Sequence, residues 1–168
     1  MKSLKKVQSY LLAECFNKLF IGGQFVDPID GEKFPTYYPA TGELLHELPN
    51  GKANDVEEAI SSAEDAWAEG TWADMSAADR AEIVFKIAQG IEDNLEMLAE
   101  IEAADVGKPY RQAAKVMDGA ASEGKYWCSL GKVLDADQDK PVNSGGGKGG
   151  VPPEEYDVVY RRDPIGVV

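Results

Sequence analysis

Side-chain catalysis needs a nucleophile, acid or metal ligand held beside a second group that activates it. In this 168-residue chain the supply is thin: one histidine, His46, and two cysteines, Cys15 and Cys128. His46 sits in a strand-like run between Leu45 and Leu48, and no neighbouring serine or cysteine reads as a nucleophile. It is expected to be structural and partly exposed. A reactive thiol needs its pKa lowered by a helix start, a cation or a base. Cys128 lies in YWCSL (126–130), among aromatics and in mid-helix, and is expected to be a packed residue; Cys15 has no supporting context. One histidine and two distant cysteines do not make an ordinary zinc site.

The glycine-rich SGGGKGG (144–150) invites a phosphate-binding reading and fails it. A P-loop needs GxxxxGK followed by Ser or Thr. Here Gly149 follows Lys148, and Val142 stands where the first glycine of the motif is required. A dinucleotide loop must follow a strand and open a helix, whereas this stretch follows a helical pattern and precedes a strand-like one. It reads as a linker. Carboxylates are so abundant that none can be singled out by spacing as an acid or base. The residues alone therefore describe an α/β piece without a self-evident active site.

The elements that would position these residues are legible. Residues 19–26 read as a hairpin about Gly22 and Gly23, which accept the positive φ of a tight turn. Residues 34–38 and 43–48 are candidate strands joined by the turn at 39–42. Asn54 is expected to cap a helix, with Glu57 three residues on, and Gly70 to end it. Ser76, followed by Asp79, opens a long apolar-faced run carrying Val84, Ile87, Ala88, Ile91, Leu95, Leu98 and Ile101, with Gly90 and Asn94 as the candidate break and Gly107-Lys108-Pro109 as its end. A third helix is expected over 109–134, packing through Ala113, Val116, Met117, Ala120, Gly124, Trp127 and Leu130. Residues 135–153 read as the linker, 155–162 as a strand, and 163–168 as a turn into a new apolar run that resembles the opening of a buried parallel strand.

Charge narrows the class. The chain carries 17 basic and 30 acidic side chains, a formal net charge of −13. Residues 54–105 hold fifteen of the acids and only Arg80 and Lys86 among the bases. That stretch reads as a solvated helical face, or as a docking face for a basic partner. A nucleic-acid partner is disfavoured, because phosphate binding needs concentrated Lys and Arg. No apolar run approaches the roughly 20 residues of a membrane-spanning helix. Two cysteines without a CxxC motif point to a reducing, cytoplasmic compartment, with an organelle (mitochondrial) as the alternative suggested by the basic start.

The order of the motifs carries more than any one of them. FIGGQFV (20–26), FPT (34–36), PATGE (39–43), DVEEA (55–59), Trp72 with MSAADR (75–80), LAEIE (98–102), DVGKP (105–109) and YRRDPIGVV (160–168) follow one another as in the N-terminal part of the aldehyde dehydrogenase superfamily, which the chain resembles over residues 20–168. Tyr38 departs from the family's usual Asn before Pro-Ala-Thr-Gly, and the glycine content of 143–153 is unusual.

The resemblance implies an α/β fold: a hairpin and the covering helices of a cofactor-binding domain, then the start of an oligomerisation β-arm. The implied division is an N-terminal extension over 1–18, a partial cofactor-binding domain over 19–134, and a linker with the start of the arm over 135–168. It implies NAD(P)+-dependent oxidation of an aldehyde to an acid, of betaine/amino-aldehyde or general aldehyde type. It also implies that the family's cofactor motifs, glutamate base and cysteine nucleophile are not in this chain, which is then expected to be inactive alone. One site carries over: a monovalent cation, Na+ or K+, bound through backbone carbonyls of Thr36, Tyr37 and Asp105. Uncovered helical faces imply a protein partner or a homo-oligomer. Two readings stand: the front of a full-length enzyme, or a short non-catalytic relative serving as a structural or interaction subunit.

Overall fold

A computed structural model describes residues 4–132 and 165–168. The expected linker at 135–153 and strand at 155–162 lie outside the described residues. The described chain begins with helix α1 (Leu4–Tyr10) and a 3-10 turn (Glu14–Phe16). Two antiparallel hairpins follow: β1 (Leu19–Ile21) with β2 (Gln24–Val26), and β3 (Lys33–Tyr37) with β4 (Leu44–Pro49). The first turns at Gly22 and Gly23, with φ of 58° and 76°. Consecutive positive φ values match the right-handed twist of the flanking strands. The Phe20 and Phe25 rings meet across it, centroids 5.2 Å apart. In the second hairpin Thr36 pairs with His46, and the register then slips so that Tyr37 faces Leu44.

Four helices complete the described body: α2 (Ala53–Glu69), α3 (Ala77–Asp93), α4 (Leu95–Val106) and α5 (Tyr110–Gly131). Ser76 caps α3 as the sequence suggests, its Oγ accepting from the Asp79 N–H at 3.1 Å. The long apolar run breaks at Asn94, whose side chain donates to the Gly90 carbonyl at 2.9 Å. Gly70 and Gly107 end α2 and α4 in the left-handed region. The start of α2 differs from expectation. Asn54 lies inside the helix rather than at its cap, which falls on Lys52. The capping carboxylate is Asp55, not Glu57, and it accepts from the Lys52 N–H at 2.8 Å. Lys52, a donor only, cannot return the favour, so this is half a capping box.

The packed faces bear out the periodicity reading in part: Ala88, Ala113 and Gly124 pack as expected, while Ile87, Val116 and Trp127 stay exposed. Helices α3 and α5 meet through small residues: Ala81, Ala88, Ala121 and Cys128 are buried, and Gly124 lies opposite Ala88. Ile87 is 60% exposed and Trp127 63%. Small side chains let helix backbones approach closely, and the large apolar residues are then left on the outer faces. A second cluster joins α4 to α5 through Ala99, Ala103 and Ala113. A third seats α1: Val7 and Leu11 pack with Leu45 of β4 and Ala104 of α4. At the other end, Gly166, Val167 and Val168, all exposed, line a shallow groove together with Ala63, Ala66 and Trp67 of α2 and the nearby Trp72.

Candidate functional site

The residues expected to hold a cation come from two elements. Thr36 and Tyr37 straddle the slip in β3, and Asp105 lies in the last turn of α4. Thr36 Oγ1 donates to Asp105 Oδ1 at 2.7 Å, closing the hairpin on the helix. Beside it, a Cβ on Gly107 would stand 3.3 Å from Pro39 Cβ. Since Gly107 also has φ of 70°, a side chain there is disfavoured both by conformation and by contact. The left-handed residue ends α4 just beyond Asp105. Helix C-termini carry a partial negative charge, and a carboxylate stands there as well. The helix end and the carboxylate thus concentrate negative potential beside Thr36. Lys108 pairs with Glu102 instead, at 2.5 Å.

His46 stands across the ladder from Thr36. Its Nε2 is buried without a hydrogen-bond partner, while the residue as a whole is half-buried. Cys15 is exposed and Cys128 buried, and neither is in a disulfide. The structure therefore brings His46 towards the Thr36 neighbourhood and places Cys128 in the α3–α5 packing. Among the described residues no group of three His, Cys, Asp or Glu is arranged to hold a metal.

Two carboxylates have roles that spacing does not reveal. Asp55, 3% exposed, accepts from the Lys52 N–H and from the Ile29 N–H at 2.9 Å. Those backbone bonds, the Lys52 one first, hold its pKa below the usual carboxylate value. It ties the loop before β3 to the start of α2. Glu100, 2% exposed, meets Lys6 Nζ at 3.4 Å and accepts from Tyr10 Oη at 3.1 Å. Its sequence neighbours in LAEIE give no hint of this, because both partners lie in α1, at the far end of the described chain.

Dinucleotide cofactors have a characteristic setting. Such cofactors bind at the C-terminal edge of a parallel sheet, where a glycine-rich turn opens a helix. The described strands form two separate two-stranded antiparallel sheets.

Comparison with known proteins gives a consistent picture. The Aldehyde dehydrogenase family model matches residues 25–168. Aldehyde dehydrogenase 1 of Tanacetum cinerariifolium is 41% identical over 154 residues, covering 91% of this chain and 29% of that protein. Aminoaldehyde dehydrogenase 2 of Zea mays is 35% identical over 153 residues, covering 89% and 29%. Among solved structures, betaine aldehyde dehydrogenase from Staphylococcus aureus in complex with NAD+ superposes with a TM-score of 0.74 at 25% identity, covering 84% of this chain and 27% of that one. The chain thus spans under a third of the length of the relatives it matches.

Proposed function

Because this chain belongs to the aldehyde dehydrogenase family, as a portion corresponding to its N-terminal part, we propose that it serves as the framework of an NAD(P)+-dependent enzyme that oxidises an aldehyde to a carboxylic acid. The observation that carries this is the family match across 25–168 together with the solved fold it superposes on. NAD(P)+ would accept the hydride in that reaction. We assign its binding to residues outside the described ones. What this portion contributes is position: the hairpins, α2 and α3–α5 form a scaffold, and the Thr36–Asp105 closure fixes one hairpin to α4.

On this reading the 168-residue chain alone does not oxidise aldehydes. The test is spectrophotometric: the purified chain is incubated with betaine aldehyde, an amino-aldehyde or benzaldehyde and either NAD+ or NADP+. No NADH or NADPH formation is expected; turnover above the buffer rate refutes the reading. We also assign Thr36, Tyr37 and Asp105 to a Na+ or K+ held through backbone carbonyls, supported by the convergence of strand, helix end and carboxylate.

The exposed apolar faces favour a second reading, a non-catalytic subunit or interaction module. Ile60 and Trp67 of α2, Ile87 of α3 and Trp127 of α5 are all at least 44% exposed. Burying faces of that kind in a partner or a homo-oligomer removes apolar surface from water. Native mass spectrometry of the protein from its source separates the readings. A subunit about three times this mass supports the enzyme; an 18.2 kDa subunit in a larger assembly supports the module. The acidic stretch over 54–105 argues against nucleic acid in either case. No described helix is long and apolar enough to cross a membrane. A cytoplasmic location, with the mitochondrion as the alternative, is part of the proposal.

A further inference from the structure

The β3–β4 hairpin meets the helical body at the Thr36–Asp105 hydrogen bond, the Pro39–Gly107 approach, the cluster in which Leu45 packs with Ala104, and helix α1. Of these, α1 is the one that grips both sides. Towards the hairpin, Gln8 Nε2 donates to the Leu44 carbonyl at 2.9 Å. That is the residue paired with Tyr37 just past the register slip. Val7, fully buried, packs on Leu45. Towards the helix, Lys6 reaches Glu100 at 3.4 Å and Glu96 at 3.8 Å, and Tyr10 Oη donates to Glu100. Val7 and Leu11 also share their cluster with Ala104, the residue before Asp105.

We propose that α1 is a releasable clasp whose seating on Glu100 sets the closure of the β3–β4 hairpin on α4 at Thr36 and Asp105. The chemistry explains why it is releasable. Among the described residues, Lys6 and Tyr10, the side chains that meet the Glu100 carboxylate, both come from α1, so seating or lifting α1 makes or breaks both contacts together. The retained cost is the apolar cluster of Val7, Leu11, Leu45 and Ala104, with Leu4, Phe16, Tyr38 and Ile101 packed against it. Seating and closure must then report on each other in both directions. Lys6, Tyr10 and Glu100 are positioning residues in this scheme; none is assigned contact with a ligand.

Hydrogen exchange on the full 168-residue chain tests the coupling, in choline chloride so that small-cation binding plays no part. Lys6→Met removes the charge and keeps the stem; Lys6→Arg keeps the charge. Lys6→Met is expected to speed exchange about tenfold at the non-proline amides of 33–37 and 44–48, the scale of losing a partly buried charged hydrogen-bond partner. Amides of α3 and α5 should keep their rates, and Lys6→Arg should restore the hairpin. Glu100→Gln, which keeps the shape of the seat, should act as Lys6→Met does. Faster exchange confined to residues 4–12 overturns the coupling, as does no change at all. An even rise that includes α3 and α5 overturns it too, because that is general destabilisation. Failure of Lys6→Arg to restore the hairpin overturns the ionic basis. Because no aldehyde, cofactor or small cation enters the measurement, its failure is separate from failure of the family reading.

Discussion

Two glycines on α5 should respond oppositely to the same substitution. A Cβ placed on Gly124 would lie 3.0 Å from the Cβ of Ala88, itself 2% exposed. Carbon atoms prefer separations of about 3.5–4.0 Å, so helices α3 and α5 must part by roughly half an ångström or more. Overpacking of this kind costs about 1–3 kcal/mol. Replacing glycine by alanine inside a helix returns about 0.8–1.0 kcal/mol of helix propensity. Gly124→Ala is therefore expected to destabilise by about 1 kcal/mol net. A Cβ on Gly119 meets nothing within 4 Å, so Gly119→Ala should keep its propensity gain of about 0.5–1 kcal/mol. The two variants then differ by about 2 kcal/mol, or roughly 4–8 °C in Tm for a chain of this size. Far-UV circular dichroism during thermal and urea unfolding reads the difference, since the helices dominate the signal. The double variant Ala88→Gly/Gly124→Ala restores the close approach with the small residue on the other helix, and should recover most of the lost stability. If Gly124→Ala proves as stable as Gly119→Ala, the small-residue seam is not what sets the α3–α5 distance.

Two further outcomes follow from the carboxylates. Asp55 has its folded pKa lowered by backbone N–H bonds from Lys52 and Ile29. Its stabilisation is thus fully present above the unfolded value of about 3.9 and is lost as pH falls through the lower folded value. Asp55→Asn should be less stable than the unmodified chain at about pH 7, with the gap in urea midpoint closing in strong acid; a gap independent of pH contradicts the assignment. For the cation site, NaCl or KCl should raise Tm over equal choline chloride. At about ten times Kd the linkage is about 1.4 kcal/mol, a few degrees. Asp105→Asn should shrink that rise by weakening the negative potential; an undiminished rise places the cation elsewhere.

Sequence alone determined the local elements. The Gly22–Gly23 turn, the Ser76 cap, the stops at Gly70 and Gly107 and the break at Asn94 are each written in a few adjacent residues, because turn and cap geometry is satisfied by near neighbours. The motif order from residue 20 onwards also determined the family, which the match over 25–168 establishes. Only the tertiary structure decided how much of each face packs. Periodicity rightly marked Ala88, Ala113 and Gly124, but also Ile87, Val116 and Trp127, which stay exposed, since which side of an amphipathic helix is covered depends on how near its neighbour can come. It also decided the start of α2, where the cap falls on Lys52 and the capping carboxylate is Asp55, which a loop residue, Ile29, shares. The partnership of Glu100 with Lys6 and Tyr10 was likewise invisible in the sequence. A buried carboxylate finds its partners through the folding of distant segments onto one another, and no local pattern records where they will land.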